Sequence, residues 1–291
     1  MAKFMLSAFA DEANDSLAGQ IAALKRNGVP LLEPRSVDGA VQEKTLAEVE
    51  EIHKTLEENG IGISAFGSPM GKFKIEEPFE PQLEKFRHAL DICKTLGTKR
   101  MRMFSFFVKQ DELATYRDEV FRRLKVFAAE AEAAGVTLCH ENEKKIYGQN
   151  PAEERELLTE IPNLRGIFDA ANYVCVDDDV LAGLDATIDK LEYIHVKDAT
   201  SDGHYMTPVG EGDGHYAEVL RRVDAATDAT VILTLEPHLY VFQHYKNIDS
   251  DKLEQIRKFE TADDAFDCAV TALKNMLKEL GFHEEDAVWT K

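Results

Sequence analysis

The stretch "VTLCHENEKK", residues 136–145, carries an apolar run straight into His140, Glu141, Asn142 and Glu143. Three later runs end alike: "LRGIFDAAN" with Asp169 and Asn172, "LEYIHVKD" with His195, Lys197 and Asp198, and "TVILTLEPHL" with Glu236 and His238. Carboxylates and imidazoles ligate metals and move protons, and each of these follows a segment patterned for burial. A lone acid in such a place is explained by capping of the next helix. Glu141, Asp169 and Glu236 converging on one point need more, because three carboxylates repel unless protons or a cation compensate. One divalent ion shared by Glu141, Asp169, His195 and Glu236 resolves the repulsion. Three oxygen donors with one imidazole suit Mn²⁺, Co²⁺ or Mg²⁺ and leave Zn²⁺ open.

A repeated local pattern supplies the elements that bring these ends together. An amphipathic helix stops at a glycine and a β-rich run begins at once: "KRNG-VPLLEP" at Gly28, "TLEENG-IGISAF" at Gly60, "CKTLG-TKRMRMFSFF" at Gly97 and "AEAAG-VTLCHEN" at Gly135. Glycine suits the left-handed residue that closes a helix, and the apolar run after it suits a strand. Helical spacing places Leu46, Val49, Ile52 and Leu56 on one face, and does the same for Leu83, Phe86, Leu90 and Cys93 and for Val120, Leu124, Phe127 and Ala131. Candidate strands end near Phe9, Glu33, Phe66, Phe104, Glu141, Asp169, Lys197 and Glu236. Strands alternating with helices form parallel sheets. Eight such units in 291 residues predict a single α/β (β/α)8 barrel, whose active face gathers the carboxyl ends of its strands. No linker rich in Gly, Pro or Ser divides the chain, so residues 1–291 read as one domain. A helix from Ala262 to Leu280 completes the outer ring, and a tail, 282–291, holds the only tryptophan, Trp289.

Composition removes several classes. The balance of 34 Lys plus Arg against 54 Asp plus Glu gives a net charge of −20, a surface that repels phosphate backbones and argues against nucleic acid as a partner. No apolar stretch approaches the roughly 20 residues of a membrane helix. The apolar run before Asp11 and Glu12 is too short for a signal peptide. Cys93, Cys139, Cys175 and Cys268 lie far apart without a CxxC pair, as expected of reduced thiols in a cytoplasmic protein.

The same face should collect further charges: Glu33 and Arg35 after strand two, Lys72 after strand three, Arg102 on strand four, and Lys197. The cations have two uses, holding an anionic substrate or balancing Glu33, Glu143, Asp198 and the metal ligands. His140 should turn away from the mouth, since adjacent strand residues face opposite sides. "GSPMGKF" is one residue short of a phosphate loop and has Phe73 where such a loop needs Ser or Thr. "GEGDG" at 210–214 reads as a loop on the substrate side, and Asp177, Asp178 and Asp179 read as a helix start.

In order along the chain, "HENEKKIYG", "FDAAN", "YIHVKD", "PVGEGDG" and "EPHL", with "LLEPRSVDG" and "SPMGK" upstream, resemble the sugar phosphate isomerase/epimerase family, the xylose isomerase-like TIM barrels. The resemblance spans about residues 5–280. It implies one divalent metal, often Mn²⁺, held by Glu141, Asp169, His195 and Glu236. It also implies that Glu141 and Glu236 form a catalytic pair on opposite faces of a small carbohydrate. One removes a proton beside a carbonyl and the other returns it, through an enediolate that the metal stabilises as a Lewis acid. Substrate contacts are expected from Glu33, Arg35, Lys72, Arg102, Asn172, Lys197 and His238. The chain departs from the family's epimerases in two places: Asn172 stands where a substrate-contacting histidine is common, and "HVKDATSDGH" lacks an arginine found after the strand-seven histidine in ketose epimerases.

The leading expectation is thus a metal-dependent sugar or sugar phosphate isomerase or epimerase. The runner-up is a lyase on the same scaffold, a dehydratase or a β-elimination on a 3-keto-glycoside, in which His140 is a candidate extra acid or base. A repair nuclease needs more histidines and a basic groove, and a sugar-binding protein needs no paired glutamates. Barrels of this kind commonly assemble into homo-oligomers through their outer helices.

Overall fold

The computed structural model describes residues 1–240 and 257–291. Eight parallel strands run along the chain: β1 (Lys3–Ala8), β2 (Leu31–Leu32), β3 (Gly62–Ile63), β4 (Arg100–Met103), β5 (Thr137–Glu141), β6 (Arg165–Asp169), β7 (Leu191–Val196) and β8 (Thr230–Leu235). Between them lie α1 (Leu17–Asn27), α2 (Leu46–Glu58), α3 (Phe79–Thr95), α4 (Leu113–Ala133), α5 (Pro151–Glu160), α6 (Ala170–Val174), α7 (Val180–Thr187) and α8 (Tyr216–Ala226), with α9 (Ala262–Glu279) after β8. β1 pairs with both β2 and β8, and β4 to β8 pair in sequence order. A single parallel bridge, Phe66 with Met101, joins the β3 and β4 segments and closes the ring. The fold is the expected (β/α)8 barrel.

Local chemistry explains where the helices start and stop. Ser16, Thr45, Asn150, Asp179 and Thr261 cap α1, α2, α5, α7 and α9 through their side chains, and Thr45 with Glu48 makes a reciprocal capping box. Asp179 is the last of the three aspartates read as a helix start. Gly28 adopts the left-handed conformation that ends α1. The apolar helix faces pack on the outside of the barrel as their spacing requires, with one exception. Leu46 is 39% exposed, because it is the first residue of α2 and precedes the turn that meets the barrel.

The tail after Gly281, which has no pattern in the sequence, forms a hairpin of β9 (His283–Glu285) and β10 (Val288–Thr290). Its second strand runs antiparallel to β1, with Phe4 opposite Trp289. β2 is only two residues long and pairs with β1 at Ser7 and Ala8, so the amino-terminal half of β1 has an open edge that the tail covers. Trp289 is buried there. Among the described residues, no helix is long and apolar enough to cross a membrane, and the four cysteines are free thiols.

Candidate metal centre

Side chains alternate along a strand, so a residue two places beyond an inward-facing one also faces the barrel axis. Leu31, Ala65, Cys139, Ile167, Tyr193 and Ile232 make a small apolar cluster of their own, apart from the main core. Two residues further along β2, β5, β6 and β7 stand Glu33, Glu141, Asp169 and His195, and Glu236 follows β8. The polar cluster is therefore the next layer above the apolar one, at the carboxyl ends of the strands.

One ligand-type atom from each of Glu141, Asp169, His195 and Glu236 lies within 4.8 Å of the others, and all four residues are buried. His195 Nδ1 is 3.1 Å from Glu141 Oε1 and 3.4 Å from Glu236 Oε2. Asp169 divides its carboxylate. Oδ1 accepts the Asn172 backbone N–H at 3.1 Å and caps α6, while Oδ2 faces Lys197 Nζ at 2.8 Å. Helix capping and membership of the cluster hold at the same residue. Asp169 Oδ2, His195 Nδ1 and Glu236 Oε2 are buried without a well-aligned hydrogen bond. Ligand atoms that face only charges fit a shared cation better than a hydrogen-bond network. The donors present fit a divalent ion.

Among the described residues, six buried carboxylates, Asp11, Glu12, Glu33, Glu141, Asp169 and Glu236, share the mouth with the buried cations Arg35, Arg102 and Lys197 and with the His195 imidazole. Arg35 grips Asp11 through two N–H groups at 3.1 and 3.0 Å and Glu236 Oε1 through a third at 2.6 Å. Arg102 donates to Glu141 Oε2 at 3.1 Å and to the carbonyls of Ser68 and Gly67 at 3.3 Å. The Phe9 ring lies beneath both guanidiniums, 4.2 and 4.8 Å away. Lys72 meets Glu143 at 3.0 Å on the more exposed rim. Its loop is held close by Gly71, where any Cβ would collide with the Phe104 carbonyl. All four cations thus lie in ion pairs with carboxylates.

These contacts set the titration of the site. Burial opposes the charge of Glu141, but His195 and Arg102 outweigh it and hold the carboxyl at about 2. Burial raises Asp169 to about 7 against the pull of Lys197. Burial opposes the charge of His195 too, yet Glu141 and Glu33 raise it to about 10. Burial pushes His238 down to about 4, so it is neutral near pH 7.

The remaining expected residues fall in definite places. Asn172 donates to the Asn142 carbonyl at 2.8 Å and reaches Glu141 Oε1 at 3.4 Å. His238 sits at the rim, where its backbone N–H donates to Glu12 at 2.7 Å. Glu33 lies behind His195 and takes the Tyr193 hydroxyl at 2.9 Å. His140 faces away from the cluster, between Glu154 and Ser105. Asp198 turns into the "GEGDG" loop and accepts N–H groups of Gly210, Gly212 and Gly214. Asp11 and Glu12 were not among the expected site residues. Their signal is "FADE" directly after the first strand, a pair of acids in the same strand-end position as the others.

The chain belongs to the xylose isomerase-like TIM barrel family, whose sequence profile matches residues 21–281. A search of curated proteins finds no significant match. Among solved structures, the probable 3-DHS dehydratase AsbF of Bacillus anthracis superposes with a TM-score of 0.71 at 15% identity, covering 94% of this chain and 99% of its own. An L-ribulose 3-epimerase gives 0.68 at 16%, covering 96% of both chains. The IOLI protein, solved with a zinc atom, gives 0.71 at 14%, covering 95% of this chain and 99% of its own. At these identities the likeness is one of fold.

Proposed function

We propose that this protein is a divalent-metal-dependent isomerase or epimerase of a sugar or sugar derivative, acting on the carbon beside a carbonyl. The observation that carries the reading is the disposition of Glu141 and Glu236. Glu141 ends β5 and Glu236 follows β8, on either side of His195, and each turns one carboxylate oxygen to His195 Nδ1. The second oxygen of each is held by an arginine, Arg102 on Glu141 and Arg35 on Glu236. Family membership and an epimerase of the same fold support it.

In this reading Glu141, Asp169, His195 and Glu236 hold the ion, with Mn²⁺ favoured and Mg²⁺, Co²⁺ and Zn²⁺ as alternatives. When bound, the ion supplies Lewis-acid polarisation of the substrate carbonyl. Glu141 and Glu236 exchange the proton from opposite sides. Arg102, Lys197 and Asn172, which touch the glutamates or Asp169, orient the substrate oxygens, and Lys72 and His238 close the rim. Arg35 acts through Glu236. The pairing of the cations with carboxylates favours a neutral sugar over a phosphorylated one. The isomerase reading is preferred to the lyase because His140, the candidate extra acid, is turned away from the mouth and its two ring nitrogens face Glu154 and Ser105. Four free thiols support a reducing, cytoplasmic setting.

The test is a panel of ketoses, sugar phosphates and sugar acids incubated with the Mn²⁺-loaded protein in D₂O. Deuterium should enter one carbon beside the carbonyl without loss of water or aglycone, and Glu141→Gln or Glu236→Gln should slow the exchange by about 10²–10⁴-fold. Release of water or an aglycone would replace the isomerase by the lyase. Exchange unaffected by either substitution would end the paired-glutamate reading.

A further inference from the structure

Glu33 directly follows β2 and is fully buried, but its two oxygens are turned to partners beneath the ligand cluster. Oε2 lies 3.4 Å from His195 Nε2, and Oε1 accepts the Tyr193 hydroxyl at 2.9 Å. Tyr193 and His195 are two residues apart on β7, so both point inward, and the strand presents hydroxyl and imidazole to the same carboxylate. The His195 ring is also walled in. Phe9 meets it edge-on with centroids 5.1 Å apart, and Tyr193 does so at 5.4 Å.

A neutral imidazole carries its proton on one nitrogen and offers a lone pair on the other. At His195 only Nδ1 faces Glu141 and Glu236, while Nε2 faces Glu33. A carboxylate that accepts from Nε2–H selects the tautomer whose lone pair points at the cluster, and prevents the ring from turning the other nitrogen inward. The geometry points to Glu33 as the positioning residue of the metal centre: once Nδ1 gives up its proton to the ion, Glu33 holds His195 as the Nε2–H tautomer, with Tyr193 as the anchor that fixes Glu33. This rests on the metal-centre reading above. It gives Glu33 a task in which the substrate takes no part, and it explains why an acid ends a strand on the far side of the barrel from β5 and β6.

The experiment is chelator-competition titration of Mn²⁺ and Zn²⁺ on the full chain, for wild type, Glu33→Ala, Glu33→Gln and Tyr193→Phe. Long-range ¹H–¹⁵N spectra of the Zn²⁺-loaded proteins, with the His195 signals assigned by His195→Gln, accompany it. Glu33→Ala should bind each ion about 10–100-fold more weakly. Glu33→Gln, whose amide oxygen still accepts from Nε2–H, should recover most of the affinity, and Tyr193→Phe should fall between. The spectra should show Nδ1 bound to the ion and Nε2–H at His195 in the wild type and in Glu33→Gln, with a share of rings bound through Nε2 in Glu33→Ala and a smaller share in Tyr193→Phe. A merely structural role would lower thermal stability without moving the tautomer. If Glu33→Ala does not fold, Glu33→Gln and Tyr193→Phe decide the matter. Wild-type affinity and an unchanged tautomer in every folded variant would overturn the role of Glu33 and leave the metal centre standing. A wild type that takes up no ion would overturn both.

Discussion

Asn142 and Asp169 exchange two hydrogen bonds across the gap between β5 and β6. Asn142 Nδ2 donates to the Asp169 carbonyl at 2.9 Å, and the Asp169 N–H donates to Asn142 Oδ1 at 3.0 Å. Backbone pairing of these strands ends with Glu141 opposite Ile167, so a side-chain amide supplies the next rung. That rung sets Glu141 beside Asp169. Asn142→Ala leaves two buried backbone groups unpaired and should cost about 1–3 kcal/mol in denaturant unfolding, with weaker metal uptake. Asn142→Asp should be worse, since it removes the donor and adds a carboxylate to an already acidic site. An unfolding midpoint equal to wild type in both variants would show that the rung carries no weight.

Metal uptake should release protons. With its pKa raised to about 10, His195 is charged at pH 7.5 in the metal-free protein, and its Nδ1 must lose a proton to become a ligand. Calorimetric titration in two buffers of different ionisation enthalpy should report about one proton released per ion, with a further fraction from Asp169, which is raised to about 7. The raised pKa also fixes the sign of the stability change without metal. The contribution is full below the ordinary imidazole range and is lost as the pH rises through about 10. Uptake without proton release would mean that another group binds the ion.

Behind the site, His140 makes a buried pair that serves structure. Its Nδ1 is 2.7 Å from Glu154 Oε2, and its Nε2 is 2.9 Å from Ser105 Oγ, which itself donates to the Tyr147 carbonyl. Removing one partner, as in Glu154→Ala, leaves His140 Nδ1 buried without its neighbour and should destabilise by about 1–3 kcal/mol, while the double change His140→Leu/Glu154→Leu should recover much of that loss. A double variant as unstable as the sum of the singles would contradict the pairing.

The tail should be part of the stability of the barrel. Trp289 is 1% exposed against β1, and Trp289→Ala should cost about 3–5 kcal/mol. Because it is the only tryptophan, its fluorescence should shift to longer wavelength in a single step with global unfolding. A red shift that precedes the loss of helical circular dichroism would show the hairpin detaching on its own.

The alternation of helix, glycine and strand made the barrel legible in the sequence, because burial imposes periods of 3.6 and 2 that survive in a linear text. It also made legible which acids sit at strand ends. Glu141, Asp169, His195 and Glu236 were recognisable as a group since each follows a buried run, and closure of a parallel barrel brings such ends together.

What each residue does inside that mouth was decided by the tertiary structure. Glu33 looks like any other strand-end acid in the sequence, yet it lies behind an imidazole because the inner layer of β2 meets that of β7 across the barrel. Asp11 and Glu12 join the site because β1 pairs with β2 on one side, which brings them to Arg35, and with β8 on the other, which brings Glu12 to His238. The tail has no readable period, for a three-residue strand gains its pattern from the edge it covers. Local sequence sets which side chains face inward at the ends of the strands. Which of them meet is set by contacts between residues far apart in the chain, and those depend on the order and shear of the closed sheet.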